Sequence, residues 1–130
     1  MPFNRKNSEN LKIAIVGDCH GQWSELDLNV LSIIKPNIVL FVGDISDGSV
    51  KIIKKINEIR IPTFVILGNH DRGKDCTGET LLKQIRILGG KYCAWDLKVF
   101  NNQINLLSAR PCSSGGGYIF QKKLKAFMDL

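Results

Sequence analysis

Three short apolar runs alternate with two amphipathic stretches in the first part of the chain. The runs at residues 11–16, 38–42 and 63–67 are almost continuously apolar and rich in β-branched side chains, and a glycine follows each of them. Such runs are typical of central parallel strands that are buried on both faces. They predict three strands, each ending at a sharp turn.

The stretches between these runs have the spacing of amphipathic helices. Residues 25–34 place four apolar side chains on one face and end before Pro36, which stops a helix. These four are Leu26, Val30, Leu31 and Ile34. Residues 49–59 group their isoleucines opposite their lysines, and Ser49 suits an N-cap. The alternation predicts an α/β fold with a parallel βαβαβ sheet and right-handed crossovers.

The second half of the chain gives a weaker pattern. Residues 71–78 are a polar loop, and residues 79–88 predict a helix that stops at two glycines. Residues 98–100 and 104–108 predict two short strands joined by a polar turn at 101–103. A Gly-rich loop at 113–117 and a terminal helix at 121–130 complete the prediction. We expect a flexible N-terminus at 1–10 and one domain over 11–130.

Charge and cysteine content change this picture little. The formal net charge is +6, but the lysines fall mostly on predicted helix faces, so a solvated surface is the better interpretation and no nucleic-acid partner is expected. The four cysteines show no Cys-x-x-Cys spacing. The first ten residues are polar, and no apolar run approaches the roughly 18 residues of a membrane span. A cytoplasmic protein with free thiols and no membrane contact is expected.

Polar side chains follow all three predicted strands. Asp18, Asn69 and Asp44 each come directly after the glycine that ends a strand, so parallel strands deliver them to one edge of the sheet. With neighbouring strands about 4.8 Å apart, two carboxylates there repel by roughly 4 kcal/mol at an effective dielectric near 20. The chain's only histidines, His20 and His70, fall at the same edge. Mixed nitrogen and oxygen donors favour a bound cation, namely Mn²⁺, Fe or Zn²⁺.

Together these residues resemble the motifs of the calcineurin-like metallophosphoesterase superfamily. Residues 18–21 (D-C-H-G) match D-x-H-G, residues 43–47 (G-D-I-S-D) match G-D-x-x-D, and residues 68–71 (G-N-H-D) match G-N-H-[DE]. The three motifs occur in the family's order, each after a strand. Residues 109–117 also resemble a Gly-rich stretch of cyanobacterial members. The resemblance implies an αββα sandwich, of which this chain matches the N-terminal half.

The resemblance also implies a role for each motif residue. Asp18 and His20 would bind a first metal ion, Asp44 would bridge two ions, and Asn69 would bind the second. His70 would stabilise the transferring phosphoryl group or protonate the leaving oxygen. Asp47 would hydrogen-bond His70 and fix its tautomer, although a turn or helix N-cap role for Asp47 stays equally open. The activity implied is metal-dependent hydrolysis of a phosphate mono- or diester with one or two divalent ions.

The chain departs from the family pattern in its second half. It has no histidine after His70, where the family places further metal ligands, and Gly48 stands where phosphoprotein phosphatases carry arginine. We therefore expect a truncated domain that binds one ion weakly and has low activity or none. Either its few C-terminal strands cover the inner face of the sheet, or the chain pairs with another copy or a complementing polypeptide. The alternative is a non-catalytic remnant or interaction module. A nucleotide-binding domain ranks last, because no G-x-G-x-x-G follows a predicted strand.

Overall fold

The computed structural model describes residues 10–94, 96–100 and 104–108. Five strands and three α-helices occur there, in the order β1 (Ile13–Val16), α1 (Glu25–Ile34), β2 (Ile38–Val42), α2 (Val50–Asn57), β3 (Thr63–Ile66), α3 (Glu79–Leu88), β4 (Leu97–Phe100) and β5 (Ile104–Leu107). Short 3-10 turns lie at Asn69–Arg72 and Gly89–Lys91. The predicted turn at 101–103, the Gly-rich stretch at 109–117 and the terminal helix at 121–130 lie outside the described residues.

The strand pairing confirms the predicted α/β fold. β1, β2 and β3 form a parallel sheet in that spatial order, and β4 pairs with β5 in a separate antiparallel hairpin. Ile13 pairs with Ile38 at the start of the sheet, and Val42 pairs with Ile66 at its end. The carboxyl ends of all three parallel strands therefore reach one edge.

Helices cover one face of the parallel sheet. Val39, Phe41 and Val65 point to that face and are fully buried against apolar side chains of the helices. Trp23, just before α1, packs edge-on against Phe41 with ring centroids 5.2 Å apart and forms part of this core. This core fixes the strands beneath the edge where the motif residues sit.

The opposite face of the sheet is only partly covered. Ile15 and Val42 on this face are 69% and 45% exposed. A cavity of about 300 Å³ lies between the ends of β2 and β3 and the hairpin, with Phe64 and Leu106 among its lining residues. The hairpin thus shields the β3 side of this face, while the β1 side remains open.

Helix α1 corrects one detail of the sequence interpretation. Of the four apolar residues predicted to share its buried face, only Leu31 is buried. Leu26, Val30 and Ile34 are exposed, and Leu28 packs against the core instead. The apolar content of this helix wraps around its axis, so periodicity alone did not select the contacting side.

Two further expectations from the sequence concern membrane-spanning helices and the cysteine thiols. Within the described ranges, no helix has the length and apolar character that crossing a membrane requires. Cys19, Cys76 and Cys93 carry free thiols, while Cys112 lies outside the described residues.

Candidate metal centre

The loops after β1 and β2 run side by side beyond the ends of their strands. The amide of Asp18 donates to the carbonyl of Gly43 at 3.1 Å, and the amide of His20 donates to the carbonyl of Asp44 at 3.0 Å. The parallel hydrogen-bond pattern thus continues into the motif loops. As a result, the first two motifs lie next to each other at the carboxyl edge of the sheet.

Glycine allows the loop after β3 to approach the loop after β2. A Cβ atom on Gly68 would lie 2.1 Å from Oδ1 of Asp44 and 2.7 Å from its amide nitrogen, which no real side chain tolerates. The amide of His70 donates to the same Oδ1 at 3.0 Å. Asp44 is therefore held between the first and third motifs, and its bridging role stays a prediction.

The predicted metal ligands converge on one place. Asp18, Asp44 and Asn69 line a cavity of about 200 Å³ whose other walls are motif glycines and Val42. Donor atoms of Asp18, His20 and Asp44 lie within 4.8 Å of one another. Nε2 of His20 is 2.8 Å from Oδ1 of Asp18. Two donors that each lie about 2.1 Å from one ion at right angles are roughly 3 Å apart, so this pair already has chelating spacing.

Asp47 has a different partner from the one predicted. Its Oδ1 lies 2.8 Å from Nδ1 of His20, so the expected hydrogen bond to His70 is replaced by one to His20. His70 remains close: its ring meets that of His20 nearly at right angles with centroids 5.1 Å apart. Ligand atoms of His20, Asp47 and His70 form a second group within 4.8 Å. All six predicted site residues are therefore adjacent, and His20 belongs to both groups.

The hydrogen bonds of His20 affect its protonation. A carboxylate only accepts, so each of the two contacts is a hydrogen bond only when the ring nitrogen carries its proton. The hydrogen bonds to Asp47 and then to Asp18 raise the pKa of His20 above its usual value, against an opposing effect of desolvation. The two carboxylates thus favour positive charge at this point, whether from a proton or from a cation.

Backbone strain is concentrated in the same loops. Four site residues adopt positive φ angles, and they are Asp18 (57°), His20 (47°), Asp44 (51°) and Asp47 (49°). Among the described non-glycine residues only Lys35 does the same. Such conformations are costly for residues with a side chain, although aspartate and histidine tolerate them better than most. Their clustering marks a functional site whose geometry the surrounding structure must enforce.

A buried polar layer beneath these loops was not predicted. Asp71, the last residue of the third motif, is fully buried together with Ser46 and Gln84. The burial of Gln84 was not predicted, although its position along the sequence of α3 gave an indication of it. The residue occupies a polar position on the α3 stripe formed by Leu81, Ile85 and Leu88, all of which pack on the core.

Cys19 lies inside the first motif without adding a nucleophile. The residue is half-buried and packs against the core. Burial raises the pKa of its thiol, and the negative charges of Asp27, Asp71 and Asp18 act in the same direction. The protonated thiol therefore persists at neutral pH, and the side chain contributes to packing.

Comparison with known proteins gives one family. The family model described as calcineurin-like phosphoesterase matches residues 11–126, well beyond the three motifs. Searches of curated proteins and of solved structures found no significant match.

Proposed function

The chain belongs to the calcineurin-like phosphoesterase family, and we propose that it hydrolyses a phosphate mono- or diester with divalent ions held at the carboxyl edge of its parallel sheet. The convergence of Asp18, His20 and Asp44 is the observation that carries this proposal. Three donors of two chemical types meet at the edge where the three parallel strands end. Such a site suits Mn²⁺, Fe or Zn²⁺.

Each ligand has a structural reason for its place in the proposal. Asp18 and His20 offer donors at chelating spacing, and Asp44 stands between them and the third motif. Asn69 reaches the same cavity from β3. A divalent ion bound here would polarise a phosphoryl oxygen and lower the pKa of a water molecule.

His70 and Asp47 complete the proposed site without binding the ion. The His70 ring is exposed beside His20, so its free nitrogen can reach a phosphate ester that approaches from solvent. We assign it stabilisation of the phosphoryl group or protonation of the leaving oxygen. Asp47 accepts from Nδ1 of His20 and so keeps Nε2 directed at Asp18 and the ion.

The donor set limits the activity that we expect from this chain alone. Asp18, His20 and Asp44 give a first ion three ligands, whereas Asp44 and Asn69 give a second ion only two. The sequence contains no histidine after His70 to strengthen either set. We therefore expect one weakly bound ion and slow turnover.

The test is hydrolysis of p-nitrophenyl phosphate and of its bis ester in Mn²⁺, Fe²⁺ and Zn²⁺. Asp44→Asn is the diagnostic variant, because asparagine tolerates the positive φ that this position requires. Its activity should fall to background. The control is Glu58→Gln, which removes an exposed carboxylate at the end of α2, away from the site. Activity that survives in Asp44→Asn would contradict the proposed site.

A second candidate is a non-catalytic member that keeps the fold and binds at most one ion weakly. The lack of a histidine beyond His70 favours it. The partly open sheet face with Ile13 and Ile15 suits an interaction module, covered by a second copy or a complementing polypeptide. Wild-type protein that is inert with all three metals, and that sediments as a dimer or complex, would favour this candidate. Elemental analysis after gentle purification separates a loaded site from an empty one.

A further inference from the structure

A closed network of buried side chains lies directly under the candidate metal centre. Asp71, Ser46 and Gln84 are 0%, 1% and 0% exposed. They come from three separate elements, namely the turn after β3, the loop after β2 and helix α3. Burial of three polar side chains together is costly unless each finds hydrogen-bond partners, so the contacts decide what the cluster does.

The carboxylate of Asp71 joins two motif loops. Its Oδ1 accepts from the amides of Ile45 and Ser46, both at 2.7 Å, and its Oδ2 accepts from the amide of Gly68 at 2.7 Å. Ile45 follows the ligand Asp44, and Gly68 precedes the ligand Asn69. One side chain therefore ties together the segments that carry two predicted ligands from different strands.

Helix α3 closes the network through Gln84. Its Nε2 donates to the carbonyl of Asp71 at 2.7 Å, and its Oε1 accepts from the hydroxyl of Ser46 at 2.8 Å. The same hydroxyl lies 3.1 Å from Oδ1 of Asp71. Gln84 thus contacts both loops although it lies on a helix that contributes no metal ligand.

The network lies next to the strained backbone of the loop after β2. Asp44 and Asp47 have φ angles of 51° and 49°, and the two residues between them are the ones whose amides Asp71 binds. Positive φ at residues with side chains persists only where surrounding contacts enforce it. The two amide hydrogen bonds supply such an enforcing contact.

We propose that Asp71, Ser46 and Gln84 are positioning residues that set the affinity of the metal centre without touching the ion. This inference rests on the proposed function, because it assigns the network to the spacing of Asp44 and Asn69. Loss of the α3 contact loosens both loops and lets the ligands separate. Metal affinity then falls even where the fold is retained.

The experiment compares variants of the network with a core variant that also loses some stability, so that loss of the network is separated from a general loss of stability. Gln84→Met keeps length and apolar contact while it removes both hydrogen bonds, and Ser46→Ala removes the hydroxyl alone. The control is Ile53→Val, a trimmed core residue outside the loops. Titration with Mn²⁺ by calorimetry, under conditions where every variant is fully folded, should give about a tenfold higher Kd for the two network variants. The Kd of Ile53→Val should match that of wild type.

A second readout does not depend on metal. Amide hydrogen exchange of the metal-free protein should accelerate at Ile45, Ser46 and Gly68 in Gln84→Met, relative to the amide of Phe41. Unchanged exchange at these amides, or faster exchange with an unchanged Mn²⁺ Kd, would overturn the inference. If wild type binds no Mn²⁺, the proposed function fails, and the exchange rates alone then decide whether the network holds the loops.

Discussion

Asp71 and Asp18 lie in loops at the same edge of the sheet but differ in burial and in hydrogen bonding. Asp71 is fully buried and accepts three amide hydrogen bonds. The side chain of Asp18 is 83% exposed, and its contact is with His20. A buried carboxylate needs donors on all sides, whereas an exposed one keeps oxygens available for a ligand. The site therefore has two layers: a lower layer that holds the loops and an upper layer that carries the proposed metal ligands.

The largest effect should come from breaking the lower layer. Asp71→Ala leaves the amides of Ile45, Ser46 and Gly68 without their acceptor in a buried place. We expect the free energy of unfolding to fall by about 3–4 kcal/mol, because buried donors that lose their partner retain their desolvation cost. Urea denaturation followed by circular dichroism measures this loss.

Asp18→Ala is the matched control for this layer comparison. It removes the same chemical group from the exposed layer, where alanine must adopt the φ of 57°. That strain costs about 1 kcal/mol, so the free energy of unfolding should fall by about 1 kcal/mol, well below the loss in Asp71→Ala. Equal losses in the two variants would refute the division of the site into a structural and a ligand-binding layer.

A somewhat smaller effect is expected where the two layers meet, at Gly68. The added Cβ of Gly68→Ala would collide with the side chain and backbone of Asp44, so the β2 and β3 loops must move apart. We expect a loss of about 1–3 kcal/mol in unfolding free energy, typical of overpacking, together with weaker Mn²⁺ binding.

Gly90→Ala provides the control for this substitution. A Cβ at Gly90 meets nothing within 4 Å. Its unfolding midpoint and Mn²⁺ affinity should equal those of wild type within error. If Gly68→Ala behaves in the same way, the close approach of the two loops is not needed for either property.

In the upper layer, metal affinity and stability should separate. Asp18→Asn retains a residue type that tolerates its φ of 57° but removes one negative charge beside Asp44. The unfolding free energy of the metal-free protein should stay within about 0.5 kcal/mol or rise slightly, because like charges no longer repel. The Kd for Mn²⁺, measured by calorimetry, should increase about tenfold or more. A destabilised variant with unchanged Kd would assign Asp18 to the lower layer instead.

The layered arrangement explains what the sequence could and could not predict. Apolar runs that end in glycine and a polar residue predicted β1, β2 and β3 and the edge where Asp18, Asp44 and Asn69 meet. Local chemistry is enough there, because a parallel sheet sends all strand ends to one side. The partner of Asp47 depends instead on the orientation of a strained loop. Sequence spacing does not encode that orientation, and His20 took the place predicted for His70.

The sequence also did not predict the contacts between elements that are distant along the chain. The hydrogen bonds of Gln84 join residues 13 and 38 positions away along the chain. In the sequence, the only indication of these hydrogen bonds was a polar residue on the otherwise apolar stripe of α3. For α1, apolar residues surround most of the helix. The sequence therefore did not indicate whether Leu26 or Leu31 is buried, and in the structure Leu31 is buried while Leu26 is exposed.

Asp75 provides the finest test, because it is only half-buried and yet well hydrogen-bonded. Its carboxylate accepts from the hydroxyl and amide of Thr77 and from the amide of Thr80 at the start of α3. The Thr77 hydroxyl, followed by the amides of Thr80 and Thr77, holds the pKa of Asp75 well below its ordinary value. A lowered pKa in the folded state means that the stabilisation is complete above the unfolded pKa near 4 and is lost as the pH falls further. Asp75→Asn should therefore destabilise the protein slightly at pH 7, and the difference from wild type should shrink below about pH 4. Urea denaturation of both proteins at pH 7 and pH 3 measures this difference. A gap that stayed constant or widened toward pH 3 would show that the ionised carboxylate of Asp75 does not stabilise the fold through these hydrogen bonds.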